Sequence, residues 1–160
     1  MSRIDDIIAF GNQQKVNAYK KQLDLETRIS KNIETIKSFA HRLKEIYGVG
    51  VACLGNNIPL CPNDTLKDNR TNCFVSNGWS HFLGFDCERG LYSIKMRNGF
   101  AIVGGGACAY NLRVNLEGEI TELSGKTIED KVYVLDRFVK EFDAFEENFY
   151  AYVDKTIGKA

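Results

Sequence analysis

The chain has 160 residues, of which 44% are hydrophobic and 26% are charged, close to globular averages. This composition excludes wholesale disorder and a fibrous architecture, and the length is typical of one domain. Basic and acidic residues both number 21, so the formal net charge is zero. Because no overall field attracts a polyanion, nucleic acid is an unfavourable partner.

The N-terminal residues lack the apolar core of a signal peptide, and no stretch reaches the ~18 apolar residues of a membrane span. We therefore expect a cytoplasmic protein that does not enter a membrane. The cysteines contain no CxxC pair, so in a reducing compartment they would remain thiols. They are Cys53, Cys61, Cys73, Cys87 and Cys108.

Apolar residues at alternating steps of four and three predict one helical face over residues 26–47. They are Ile29, Ile33, Ile36, Phe39, Leu43 and Ile46. Glycines at Gly48 and Gly50 predict the end of this helix. A weaker apolar pattern from Ile4 to Leu23 predicts further helix, either separate or continuous. Residues 1–47 are thus expected to form a helical N-terminal segment.

The strongest pattern predicts a C-terminal helix over residues 127–158. Thr127 can accept the amide hydrogen of Asp130, and the acidic first turn suits the helix dipole. The apolar stripe extends over more than four heptads. It consists of Ile128, Val132, Leu135, Val139, Phe142, Phe145, Phe149, Val153 and Ile157.

Alternating apolar residues between the helices predict strands at residues 81–85, 91–97, 108–115 and 119–123. Turns are predicted at Gly90 and Gly118, and Asn98-Gly99 predicts a tight hairpin turn before residues 100–103. The chain is therefore predicted to be a single α+β domain over residues 1–160. Its antiparallel meander of four or five strands, within residues 50–124, is flanked by long amphipathic helices.

Residues 56–77 lack a sustained period and contain both prolines, which predicts a long loop. Loops longer than about 12–15 residues are uncommon in compact domains unless they are functional or disordered. This loop and its surroundings are therefore where we expect a binding site.

Three consecutive glycines, Gly104, Gly105 and Gly106, interrupt the strand pattern. Glycine weakens a strand, so this run marks a bulge, a sharp turn, a close helix contact, or bare backbone against a ligand. Trp79, the only tryptophan, either seals the core or anchors a partner. The predicted ligand or partner site comprises these glycines with Asn77, Trp79 and Arg113.

Other motifs favour structural interpretations. The run from Ser124 to Thr127 lacks the first glycine of a phosphate-binding loop, because position 120 is Ile120, and it is better explained as a helix cap. Cys108 shares its predicted face with apolar residues, which disfavours a nucleophile that would use His81 or His41 as its base.

Zinc ligation is considered for a set of residues whose spacing is wider than that of typical zinc sites. The set is Cys61, Cys73, His81 and Cys87. Sequence alone does not establish whether these side chains meet. No catalytic residue, metal or cofactor is therefore assigned.

These features favour a non-enzymatic interaction protein, a homo-oligomer through its helical stripes, that binds and inhibits a macromolecular partner. The alternative is a small-ligand or nucleotide-binding protein that uses the triple glycine, the loop at 56–77 and Trp79. An enzyme whose site is assembled only on folding is third. In its layout the chain resembles small proteins of bacterial mobile elements, a resemblance that rests on no motif.

Overall fold

The computed structural model describes residues 2–61, 74–77, 81–101 and 107–158. Three helices and a five-stranded sheet form an α+β fold, as predicted. The helices are α1 (Arg3–Ser38), α2 (Ala40–Leu54) and α3 (Ile128–Ile157). The strands are β1 (Val75–Asn77), β2 (His81–Glu88), β3 (Leu91–Ala101), β4 (Ala107–Asn115) and β5 (Ile120–Leu123). The strands pair antiparallel in chain order, which makes the sheet a meander.

The N-terminal helices are interrupted once, at Phe39, and end later than predicted. Helix α1 is continuous from Arg3 to Ser38, and the chain tightens for one residue at Phe39 before α2 begins. Helix α2 does not end at Gly48 or Gly50 but continues to Leu54. Gly55, with φ of +61°, follows the last helical residue. Glycine adopts positive φ without the steric cost that other residues meet, which suits it to the end of a helix.

The predicted hairpin turn at Asn98-Gly99 is wrong. Strand β3 continues through both residues, where Asn98 pairs with His81 on one side and Tyr110 on the other. Cross-strand partners on both sides outweigh a local turn preference. The turns at Gly90 and Gly118 are confirmed, and both glycines have φ of +77°.

The predicted loop at 56–77 contains more order than expected at its two ends. A short 3-10 turn (Gly55–Asn57) begins it, and Leu60 forms a parallel bridge to Phe85 of β2. At its end, β1 pairs with β2 through Val75 and Leu83. Residues 62–73 lie outside the described residues.

The core lies between one face of the sheet and all three helices. The sheet contributes side chains that are fully buried, and α3 contributes a column of phenylalanines. Thr127 and Asp130 form the capping box that starts α3, as predicted. Ion pairs from Arg28 to Asp136 and from Arg42 to Glu146 join α1 and α2 to α3. The sheet residues are Leu83, Phe85, Ile94, Met96, Leu112 and Val114; the phenylalanines are Phe138, Phe142, Phe145 and Phe149.

Candidate functional site

The first part of α1 projects beyond the rest of the fold. We define residues 3–24 as the N-terminal arm, and the remaining described residues as the body. Ser2 caps the arm by accepting the amide hydrogen of Asp5, and Asp5 and Asp6 supply negative charge to the first turn. Burial in α1 begins only at Leu25. The large apolar side chains of the arm are 44–68% exposed: Ile4, Ile7, Ile8, Phe10, Val16, Tyr19 and Leu23.

The first apolar residues of the arm lie on the face of α1 that enters the core. Ile7 precedes Leu25 by 18 residues, which is five complete turns, so these two side chains lie along the same line of the helix. In the body, Ile36 on this face packs into the core, and Leu25 is only 8% exposed. Helix α3 starts at Ile128 beside the end of the arm. Within the described residues, no element covers this face earlier along α1.

Helix α3 runs alongside α1 in the same direction. Lys21 lies 3.9 Å from Glu129, and one heptad further along both helices Arg28 pairs with Asp136. The side of the arm that continues toward α3 is therefore uncovered, and the N-terminus of α3 begins at the end of the arm nearest the body.

Charge is divided unevenly along the arm. Its first part carries Arg3, Asp5 and Asp6, whereas its last part carries three lysines and one aspartate. The two ends thus have opposite net charge. The charged residues of the last part are Lys15, Lys20, Lys21 and Asp24.

Arg113, a predicted binding residue, is engaged within the body. Its guanidinium lies on the sheet face opposite the helices, 2.8 Å from Asp86 and 3.3 Å from Glu122, and it also pairs with Glu88. Asp86 is only 2% exposed and depends on this partner. Three carboxylates around one guanidinium make this site unsuited to an anionic ligand.

A groove of about 630 Å³ passes beside Arg113 at the end of the sheet where β2 turns into β3. The tilted rings of Tyr47 and Tyr92, with centroids 4.8 Å apart, form part of its wall. Leu91 and Leu116 add apolar surface. The groove combines apolar walls with a few polar groups, as small-molecule sites do.

A second polar cluster, absent from the sequence prediction, lies between β2 and α3. His81 is 2% exposed, and its Nε2 lies 2.6 Å from a carboxylate oxygen of Glu141. Arg137 donates a hydrogen bond to the other oxygen at 3.0 Å and another to the hydroxyl of Tyr133 at 2.9 Å. Tyr133, Arg137 and Glu141 follow each other at steps of four, which is the sequence signal for this row.

The cluster shifts the pKa of Glu141 and of Tyr133. Burial alone would raise the pKa of Glu141, but the hydrogen bond and charge of His81, followed by those of Arg137, lower it. A hydrogen bond with Asn98, aided by Arg137, lowers the pKa of Tyr133 against the effect of burial. His81, considered above as a base or a zinc ligand, therefore faces a carboxylate that is held ionised.

Only some of the remaining predicted site residues lie within the described ranges. Trp79, Cys73 and the three glycines at 104–106 lie outside the described residues. Asn77 ends β1, where its backbone pairs with His81. Among the residues that the structure describes, no three His, Cys, Asp or Glu side chains are grouped as a metal site would require.

Comparison of the chain with protein-family models, with curated proteins and with solved structures finds no match in any of the three. In the described ranges, no helix combines the length and the apolar character needed to cross a membrane. The functional argument therefore depends on the surfaces of this chain alone.

Proposed function

We propose that the chain is a non-enzymatic interaction protein that assembles into a homo-oligomer through its N-terminal arm and binds a macromolecular partner in that form. The observation that carries this proposal is the exposure of the arm's apolar side chains, from Ile4 to Leu23, outside the core. The corresponding stripes of the later part of α1, of α2 and of α3 are used within the chain.

The energetics of helices favour a partner for the arm. In proteins most helical stability comes from the packing of an apolar face, and the apolar side chains of the arm are exposed. Contiguous exposed apolar surface on a globular protein commonly marks an interaction site. Association would bury the exposed isoleucines. Each Å² of apolar surface removed from water would contribute about 25 cal/mol to the free energy of association.

Size-exclusion chromatography with light scattering tests the proposal. The wild-type protein should elute as an oligomer at tens of micromolar. The double variant Ile4→Gln/Ile8→Gln should elute as a monomer, because glutamine preserves helix propensity while removing apolar contacts.

Val51→Gln is the matched control, since Val51 is an exposed apolar residue of the body (46%). This variant should assemble as the wild type does. A wild-type monomer, or an oligomer unaffected by the arm substitutions, would refute the proposal.

A second candidate function, small-ligand binding, is favoured by the groove beside Arg113. The groove volume lies in the range of about 300–1,000 Å³ that is common for such sites. Its carboxylates, Glu88 and Glu117, favour a neutral or cationic ligand with an aromatic part that contacts Tyr47 and Tyr92.

Thermal-shift screening against nucleosides and aromatic amines tests this second candidate. A compound that occupies the groove should raise the melting temperature, and Leu91→Ser at the exposed rim should reduce that shift. If no compound stabilises the protein, the groove is not a ligand site of this class.

A further inference from the structure

The groove beside Arg113 combines aromatic walls with charged residues of both signs. We infer that it binds a zwitterionic aromatic compound, in which an ammonium and a carboxylate group share one carbon, as in a free aromatic amino acid. This inference rests on the second candidate function, in which the groove is a small-ligand site. It adds a carboxylate to the ligand and names Arg89 as the residue that binds this carboxylate.

Among the charged residues that line the groove, Arg89 alone has no ion-pair partner within the described part of the chain. Arg113 pairs with Glu88, Glu117 pairs with Lys44, and Arg89 is exposed. A guanidinium is always charged and can offer two parallel N–H donors to a carboxylate. Arg89 can therefore bind the anionic end of a ligand without leaving an existing partner.

The backbone at Arg89 is unfavourable for arginine. Glu88 pairs with Leu91, so Arg89 and Gly90 form a two-residue hairpin turn, and their φ angles are +54° and +77°. Such a turn favours asparagine or aspartate before glycine, because the left-handed conformation carries a steric cost for other residues. Costs of this kind cluster at functional sites. The turn gives no reason for an arginine, whereas a ligand in the groove does.

The cationic end of the ligand is matched by the carboxylates around Arg113. Three of them, from Asp86, Glu88 and Glu122, surround one guanidinium, so negative charge is in excess. Glu88 is the one of the three that lines the groove, and its side chain is 53% exposed. Glu88 and Arg89 are consecutive residues of opposite charge at one rim, which suits two ligand charges on a single carbon.

The opposite rim is held in place by the chain itself. At the turn between β4 and β5, the side-chain oxygen of Asn115 accepts the amide hydrogens of Glu117 and Glu119 at 3.0 and 2.9 Å. Lys44 of α2 pairs with Glu117 at 2.8 Å. A preformed wall lowers the cost of ordering on binding. The ring of the ligand would contact the tilted rings of Tyr47 and Tyr92, as aromatic groups commonly pack.

Titration of nitrogen-15-labelled protein with three matched compounds, followed by NMR spectroscopy, tests the inference. L-Phenylalanine carries the ring and both charges, phenethylamine lacks the carboxylate, and phenylpropionate lacks the ammonium. Phenylalanine should bind more tightly than phenethylamine by a factor of about two to five, the usual contribution of an exposed ion pair. Phenylpropionate should bind most weakly, because it brings only negative charge. The amide signals of Gly90 and Leu91 should shift.

Arg89→Asn is the critical variant, since asparagine suits the left-handed turn better than arginine does. The variant should be at least as stable as the wild type. Its affinity for phenylalanine should fall to that for phenethylamine, which should not weaken. Arg3→Gln removes the same charge from the arm and is the matched control, with all three affinities unchanged.

The outcomes separate the inference from the function beneath it. If phenethylamine binds as tightly as phenylalanine, or if Arg89→Asn retains the difference, the inference is overturned and the groove remains a site for aromatic amines. Tightest binding of phenylpropionate would overturn it in favour of a C-terminal aromatic residue of a peptide. Phenylalanine that does not bind, or binds without shifting Gly90 and Leu91, would also overturn it. The groove function is decided separately, by the thermal-shift screen and Leu91→Ser.

Discussion

The arm and the body contain parts of the same helix whose apolar residues have opposite environments. Ile4 of α1 is 68% exposed, whereas Ile36 of the same helix is fully buried under α3. Both residues belong to a pattern with helical periodicity. The comparison shows that helical periodicity identifies an apolar face of a helix. It does not specify whether residues of the same chain or of another chain pack against that face.

The largest expected effect contrasts a phenylalanine of the body with one of the arm. Phe142 is fully buried and stacks on Phe39 with ring centroids 4.1 Å apart. Phe142→Ala should lower the free energy of unfolding by about 4 kcal/mol through lost burial and a cavity. Phe10→Ala should leave it nearly unchanged at low protein concentration. Chemical denaturation measures both, and similar losses for the two variants would contradict the division into arm and body.

The next effect concerns a charge held inside the body. Arg113→Gln leaves Asp86 buried without its cationic partner, which should cost about 3 kcal/mol. Arg3→Gln removes an exposed arginine from the arm and should cost little. Denaturation curves of the two variants test this contrast. An Arg113 variant as stable as the wild type would mean that the pair is not structural and that Arg113 is available for a ligand.

A smaller effect concerns glycine. A Cβ at Gly118 would lie 2.9 Å from the Cα of Lys37 and 3.0 Å from the carbonyl oxygen of Ile36. Gly118→Ala should therefore cost about 2 kcal/mol from strain and close contact. Gly90→Ala has the same positive φ but open surroundings, so it should cost less. In the arm, Gly11→Ala should instead increase the helicity measured by circular dichroism. Alanine is favoured over glycine within a helix by up to about 1 kcal/mol.

The smallest effect is a dependence on pH confined to the body. Because the pKa of Glu141 is lowered in the folded protein, its contribution to stability is present above the unfolded value of 4.5. This contribution is lost as the pH falls through the folded value. Glu141→Gln should therefore flatten the acid side of a stability profile, while Glu147→Gln, at an exposed position of α3, should not. If the stability profile of Glu141→Gln equalled that of the wild type, the His81–Glu141 pair would have no role in this dependence on pH.

Sequence patterns predicted the elements whose stabilising interactions are local. The capping box at Thr127 and the turns at Gly90 and Gly118 depend on neighbouring residues, and each was predicted correctly. The predicted stripe of α3 is buried at Val132, Phe142 and Val153, but its last residue, Ile157, is 49% exposed. The end of α2 was predicted wrongly, because Gly50 lies within the helix, where it allows close packing, and does not end the helix. A Cβ there would lie 3.1 Å from the ring of Phe149.

The candidate surfaces required the tertiary structure. Exposure of Ile4 and burial of Ile36 depend on where α3 begins, which no spacing within α1 reveals. The engagement of Arg113 depends on carboxylates from two other strands, the buried Asp86 with Glu88 on β2 and Glu122 on β5. Of the polar cluster, only the row of Tyr133, Arg137 and Glu141 was visible in the sequence, since His81 reaches it through the packing of β2 on α3.

The uninterrupted course of α1 from Arg3 to Ser38 has one further consequence. With no break between arm and body, the direction of the arm is fixed by the packing of the body. In the proposed homo-oligomer, each chain would carry its own copy of every body surface. Such an assembly could engage two sites of one target at once, with avidity that neither chain has alone.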